Sequence, residues 1–205
     1  MDHDRIRARV AEAFKGAEAL QFDPKTYKTE TGVPYFKVSP DRLRAFALFL
    51  REDAELACDA LMSMTAVDFL PAKAKKPAPG EPTEIPGKIF LVYHLYSMSR
   101  GHRIVIKVED LPRAGASVPS VAEIWPTANW HERECYDFFG VNFEGHPDLR
   151  RILLPEDWEG HPMLRDYDAK IIQNRWQRLN LGPDPEDMGP DAPLTDGRPL
   201  SEIRS

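Results

Sequence analysis

Histidine, cysteine, carboxylate and arginine side chains crowd into one stretch of the sequence, WHERECYDFFGVNFEGHPDLRRILLPEDWEGHPMLRDY, residues 130–167. His131 and Cys135 stand four apart, a spacing that puts two side chains on one face of a helix, and His146 and His161 follow. The chemistry this set suggests first is a metal-dependent hydrolase. HEREC is not the HExxH pair of the zinc peptidases, however, and a zinc site needs a third and fourth ligand whose geometry this spacing does not supply. A Cys135 nucleophile requires a depressed thiol pKa, and Glu132, Glu134 and Asp137 beside it oppose that. A histidine inside Gly-His-Pro more often hydrogen-bonds a carbonyl or a carboxylate.

The charges have a pattern of their own. Glu132-Arg133-Glu134 falls in a predicted helix that runs into Asp137-Phe138-Phe139 and stops at Gly140. Arg133 and Asp137 lie one turn apart, where they can pair, with Tyr136 and Phe139 on the neighbouring stripe. The plain expectation is an amphipathic helix with a solvated charged face. Then come two near copies, FEGHPDLRRI (143–152) and WEGHPMLRDY (158–167). Gly-His-Pro predicts a turn, because glycine tolerates unusual dihedrals while proline fixes its own φ and restricts its neighbour. Each turn leads to an arginine near Asp148 or Asp166, as if to clamp a neighbouring surface. A stretch so rich in both signs among aromatic residues predicts paired, partly buried contacts for Arg133, Arg150 and Arg151.

The elements that must position these residues are readable at coarse grain. Ile6, Val10, Phe14 and Ala17 recur at helical spacing, predicting a first helix over 4–20. Val33–Val38 reads as a strand. Ser39-Pro40-Asp41 opens a helix with a capping hydroxyl, proline at the first helical position and an acid at the positive dipole end. Its buried face is Leu43, Phe46, Ala47 and Leu50. After a second short helical piece, Leu61–Leu70 reads as a strand. Lys88–Ser97 and His102–Glu109 form an antiparallel hairpin across a short connection. Residues 71–87, with five prolines and three lysines, are an exposed loop of a length that costs little. A helix is expected from Val118, interrupted at Pro126 and resumed over Thr127–Phe139. The expected class is α/β (α+β), a small mixed sheet flanked by helices with an extended carboxyl-terminal arm. The expected divisions are a core at 1–140, signature turns and a partner-contacting segment at 141–180, and a proline-rich acidic tail at 181–205 lying on another protein.

At 205 residues and 42% hydrophobic content there is room for one core-bearing domain. Net charge is −6, which offers no basic field for nucleic acid. Two isolated cysteines, Cys58 and Cys135, suit a reducing compartment and cannot supply the four thiolates of an iron–sulfur cluster. No GxGxxG or Walker motif is present. The most apolar runs, AFALFL and IFLVYHLY, fall well short of the roughly 20 residues a membrane helix needs.

Glu132-Arg133-Glu134, two residues, Asp137-Phe138-Phe139, six residues, His146, three residues, Arg150, one residue and Ile152-Leu153 together resemble the signature of the 30 kDa, or C, subunit of respiratory complex I. The TAVD at 65–68, Asn129-Trp130, Phe143-Glu144-Gly145-His146-Pro147 and the second Gly-His-Pro are similar to that family as well. One position departs. After His161 the family carries Leu, two basic residues, Asp and an aromatic, whereas this chain has Met163-Leu164-Arg165-Asp166-Tyr167.

The resemblance implies a cofactor-free component of the proton-translocating NADH:quinone oxidoreductase. It would sit in the peripheral arm at the cytoplasmic face of the bacterial inner membrane, beside the 49 kDa-type (D) large subunit and neighbouring iron–sulfur subunits. FMN and the iron–sulfur clusters belong to other subunits, and NADH and quinone bind elsewhere. Glu132, Arg133, Glu134, Asp137, Phe138, Phe139, His146, Arg150, Arg151, His161, Arg165 and Asp166 would form a signature and partner interface with no catalytic role. Related membrane-bound hydrogenases and quinone oxidoreductases using other electron donors contain similar subunits, and the family signature alone does not separate them.

Overall fold

The computed structural model describes residues 2–14, 21–23, 35–73, 84–168 and 170. They form one compact unit up to Asp166, with Tyr167–Ser205 as a second. The segment 141–166 therefore lies in the same unit as the sheet. The predicted tail, 181–205, falls outside the described residues.

Helix α1 (His3–Ala13) begins where Asp2 accepts the Arg5 N–H at 2.8 Å, and it buries Ile6 and Val10. It is shorter than the expected 4–20, because the backbone turns extended at Phe14; residues 15–20 lie outside the described residues. Strand β1 (Gln21–Asp23) pairs antiparallel with β2 (Tyr35–Lys37). Helix α2 (Pro40–Glu52) starts at the predicted proline and buries Leu43, Phe46, Ala47 and Leu50 as expected. Ser39 occupies the cap position, but its hydroxyl makes no capping bond. Phe14 and Phe36 both meet Phe46, with ring centroids 5.0 and 5.5 Å away.

The second short helical piece is instead a run of turns. Asp53 accepts from the N–H groups of Glu55 and Leu56 and pairs with Arg9 at 2.7 Å, so the side chain supplies what a helix would have supplied. Strands β3 (Ala60–Phe69), β6 (Lys88–Ser97) and β7 (His102–Pro112) are the body of the sheet, whose order is β1-β2-β7-β6-β3. The pairs β3–β6 and β6–β7 are antiparallel while β2–β7 is parallel, so the sheet is mixed, as expected. Gly101 turns the hairpin at φ +66°. Between β3 and β6, the strands β4 (Ala72–Lys73) and β5 (Glu84–Ile85) close the base of the proline-rich loop as a two-stranded ribbon.

One expected helix is replaced by extended chain. Ser117–Pro119 is strand β8, parallel to β9 (Asn142–Glu144), and the helix expected from Val118 begins only with α3 (Ala128–Phe139). Val118 and Val121, β-branched and fully buried, favour extended and turn backbone here. The pairing partner of Val118, Phe143, lies beyond α3, where local periodicity does not reach. The inner sheet face carries Leu61, Met64, Ala66, Leu91, Tyr93, Ile104 and Ile106, which join the helices in one core. A bulge between Leu61 and Ser63 turns Met62 outward.

Candidate functional site

Helix α3 is fixed at both ends by bonds to distant parts of the chain. Before its first turn the buried Trp125 indole donates to the Cys58 carbonyl at 2.9 Å, and the Thr127 hydroxyl donates to the Leu61 carbonyl at 3.2 Å. It ends, as predicted, at Gly140 in the left-handed region, φ +75°. The charged face is not solvated. Glu132, Arg133 and Asp137 are buried together with Cys135 and Phe139, and of the acidic and basic residues of α3 only Glu134 faces out.

Glu132 accepts the Ser120 hydroxyl at 2.6 Å and the Val121 N–H at 2.7 Å. Burial pushes its carboxyl up to about 7, against the pull of those two bonds. The Tyr93 hydroxyl is also buried, with no hydrogen-bond partner among the described residues. Burial, then the neighbouring Glu132, holds it well above its ordinary value. His146 comes within 3.9 Å of Glu132, yet both ring nitrogens are already engaged. Nδ1 faces the Asp148 N–H at 3.0 Å and must accept; Nε2 faces the Asn129 carbonyl at 3.1 Å and must donate. That pattern fixes the neutral tautomer, so no cation compensates Glu132.

Asp137 is served differently. One oxygen takes Arg151 Nη1 at 2.9 Å, and the other takes the N–H groups of Ile152, Leu153 and Leu154 at 3.1, 2.9 and 2.9 Å. Burial alone would raise its pKa, but the three N–H groups and the guanidinium outweigh burial and hold it below the ordinary value. The expected Arg133–Asp137 pair does not form. Arg133 donates to the carbonyls of Arg150 and Arg151 at 3.1 and 3.2 Å and lies 5.4 Å from the Trp130 ring centroid. Arg133 and Asp137 thus satisfy the acceptors and donors of one irregular segment, 150–154, in the way a neighbouring strand would.

Both Gly-His-Pro copies turn through a left-handed glycine, Gly145 at φ +77° and Gly160 at +75°. The second histidine, His161, donates Nδ1–H to the Asp137 carbonyl at 2.9 Å, and Met163 N–H donates to the Phe138 carbonyl at 3.2 Å. A side-chain carbon at Gly140 would come within 2.7 Å of the His161 ring. One turn pins the start of α3 and the other its end. Arg151 and Arg133 meet the expectation of partly buried contacts; Arg150 does not, pairing with Asp148 at 2.9 Å while its side chain stays 70% exposed.

A second cluster ties down the end of the unit. Arg113 clamps Asp68 at 2.7 and 2.8 Å and Asp166 at 2.8 and 2.6 Å, while Asp68 also accepts the Arg165 N–H at 2.8 Å. Arg113, Ser120 and Tyr93 were not legible as functional residues. Arg113 follows a proline in a loop that carries no motif, 45 and 53 positions from its partners. Asp68 had a signal, the TAVD segment. Phe139 lies in the core and Phe138 packs against it. Arg165 contributes its backbone N–H and projects its side chain outward.

Nothing in this arrangement resembles hydrolase chemistry. Burial, then Glu134 and Glu132, pushes the Cys135 thiol far up, the opposite of thiolate activation. Among the described residues no group of three or more His, Cys, Asp or Glu can hold a metal. A groove of about 570 Å³ lined by Met62, His94, Tyr96, Met98 and Arg103 includes the outward-facing side chains of β3 and β6 and no residue of the signature. No helix among the described residues is long and apolar enough to cross a membrane.

The model of the family "Respiratory-chain NADH dehydrogenase, 30 Kd subunit" matches residues 36–172. The C subunit of the NADH-quinone oxidoreductase of Roseiflexus castenholzii is 39% identical over 162 residues, 79% of each chain. The C/D subunit of the NADH-quinone oxidoreductase of Acinetobacter baylyi is 54% identical over 90 residues, 43% of this chain and 15% of that one. The solved structure of a trypsin-resistant fragment of Nqo5 superposes with a TM-score of 0.52 at 24% identity, over 73% of this chain and all of that one. That last likeness bears on the fold.

Proposed function

Because this chain belongs to the 30 kDa subunit family of respiratory-chain NADH dehydrogenase, we propose that it is the cofactor-free scaffold holding the D-type large subunit of an NADH-quinone oxidoreductase. NADH oxidation, electron transfer through flavin and iron–sulfur clusters, and quinone reduction belong on this reading to other subunits. The chain sits peripherally at the cytoplasmic face of the inner membrane, attached through its neighbours. The observation that carries the reading is the use made of the signature charges. Arg133 and Asp137 are committed to backbone groups of 150–154, and they give an irregular segment a fixed shape. Fixed, irregular surface is what subunit recognition needs. The C/D relative supports the choice of partner, since its name joins the two subunits.

Affinity purification of the tagged chain from its native membrane, with identification of the co-purifying chains, tests this. A set containing the D-type and iron–sulfur subunits is expected. A chain that purifies alone, or with a bound flavin or cluster of its own, contradicts it.

A further inference from the structure

The signature residues that the sequence marks out as an interface are mostly turned inward, which raises the question of what they present. Along one stripe of α3, Trp130, Arg133 and Asp137 follow at helical spacing. Segment 150–154 lies along that stripe through the Arg133 and Asp137 bonds, and Met163 is fixed at its end by the Phe138 carbonyl. Three large apolar side chains stand out from this assembly: Trp130 at 60% exposure, Leu153 at 60% and Met163 at 56%. Leu153 is attached to backbone held by Asp137, Met163 to backbone held by the Phe138 carbonyl, and Trp130 to the helix itself, with its ring beside the Arg133 guanidinium. A rigid, exposed, tryptophan-bearing ridge has the character of a binding hot spot, since little ordering is left to do on association.

We infer that the D-type large subunit docks on the ridge of Trp130, Leu153 and Met163, and that the buried signature charges hold this ridge instead of touching the partner. The inference rests on the scaffold reading above. The ridge lies beside the place where the compact unit ends, at the Arg165 and Asp166 anchors on Asp68 and Arg113. In the relative whose name joins C and D the two subunits share one chain, so a D-type surface has to lie within reach of such a module. The rim carries both signs, with Arg150, Arg165 and Glu134 exposed, which suits a partner surface with an apolar strip inside a mixed polar border.

The test places a photoreactive amino acid at position 153, 163 or 62 of the full chain in its native membrane. Cross-links from 153 and 163 to the D-type subunit, and none from 62 on the outward side of the sheet, are expected. A Leu153→Asp/Met163→Asp chain is expected to recover D-type subunit about tenfold less or worse, with an unchanged circular dichroism spectrum. If the wild-type chain does not co-purify with the D-type subunit, the scaffold reading itself fails. If it does, but 153 and 163 capture another chain or nothing, or 62 captures the D-type subunit equally well, the ridge assignment is overturned and the scaffold reading stands. Full recovery with the double variant overturns it likewise.

Discussion

Glu132 and Asp137 are two fully buried carboxylates on one helix, and their pKa values are moved in opposite directions. Asp137 has three backbone N–H groups and a guanidinium, and it ionises below its ordinary range. Glu132 has one hydroxyl and one N–H, with a neutral imidazole nearby, and its pKa is raised to about 7. Glu132 lies deeper than Asp137, so burial penalises it more, and it has fewer and less charged donors to offset that penalty. The two ends of the helix therefore differ in kind. The Asp137 end is an ionic knot that shapes the segment carrying Leu153; the Glu132 end is a near-neutral hydrogen-bonded joint between α3 and the turn at Ser120.

The largest expected effect comes from breaking the ionic knot. Asp137→Ala leaves Arg151 and three N–H groups without their acceptor, and it should cost about 3–5 kcal/mol in urea denaturation of the purified chain. Asp137→Asn, which keeps one acceptor oxygen, should cost less.

The pH dependence of stability separates the two carboxylates. The Asp137 contribution is complete above the ordinary value of 3.8 and is lost as pH falls through its depressed folded value. Glu132 has the opposite sign. Below 4.5 it is protonated folded and unfolded; between 4.5 and about 7 the unfolded chain ionises first. Stability should fall across that window by about 3 kcal/mol and then level off. Glu132→Gln should abolish this component, seen in the difference between the two stability curves. A difference curve flat from 4.5 to about 7 would mean that Glu132 ionises normally.

Gly140→Ala strains the left-handed position and drives a carbon against the His161 ring. A loss of about 1–3 kcal/mol is expected, read as a lower melting temperature. The smallest effect on the isolated chain belongs to Arg150→Ala. That side chain is 70% exposed and pairs locally, so a change within about 0.5 kcal/mol is expected. Its consequence should appear in assembly, as a smaller amount of complex and not as an altered quinone KM.

Much of the fold was legible because its signals are local. The α2 start at Pro40, the Gly101 hairpin and the Gly140 stop each depend on residues within one turn of the feature. Strand β8 was misread as helix because its partner, Asn142–Glu144, arrives only after α3. The site shows the same limit. Spacing located the charged stripe of α3 and both histidine turns. It could not show that the stripe faces inward, because the groups that satisfy it are Ser120, Val121 and the backbone of 150–154, whose positions depend on irregular loops. Helical geometry suggested Arg133–Asp137 as the nearest ion pair; in the fold each has better partners 14–18 positions away. The departure from the family pattern at Leu164, apolar where the family is basic, was visible as a change of residue type, and only the fold shows that this side chain packs against the core.

The most direct measurement compares assembled complex with turnover per complex in membranes carrying Asp137→Ala. If the signature acts by shaping a docking surface, the amount of assembled NADH-quinone oxidoreductase falls steeply while the remaining complexes keep the wild-type turnover number and quinone KM. Normal assembly with a changed quinone KM or turnover number would contradict it and give the signature a direct part in the reaction.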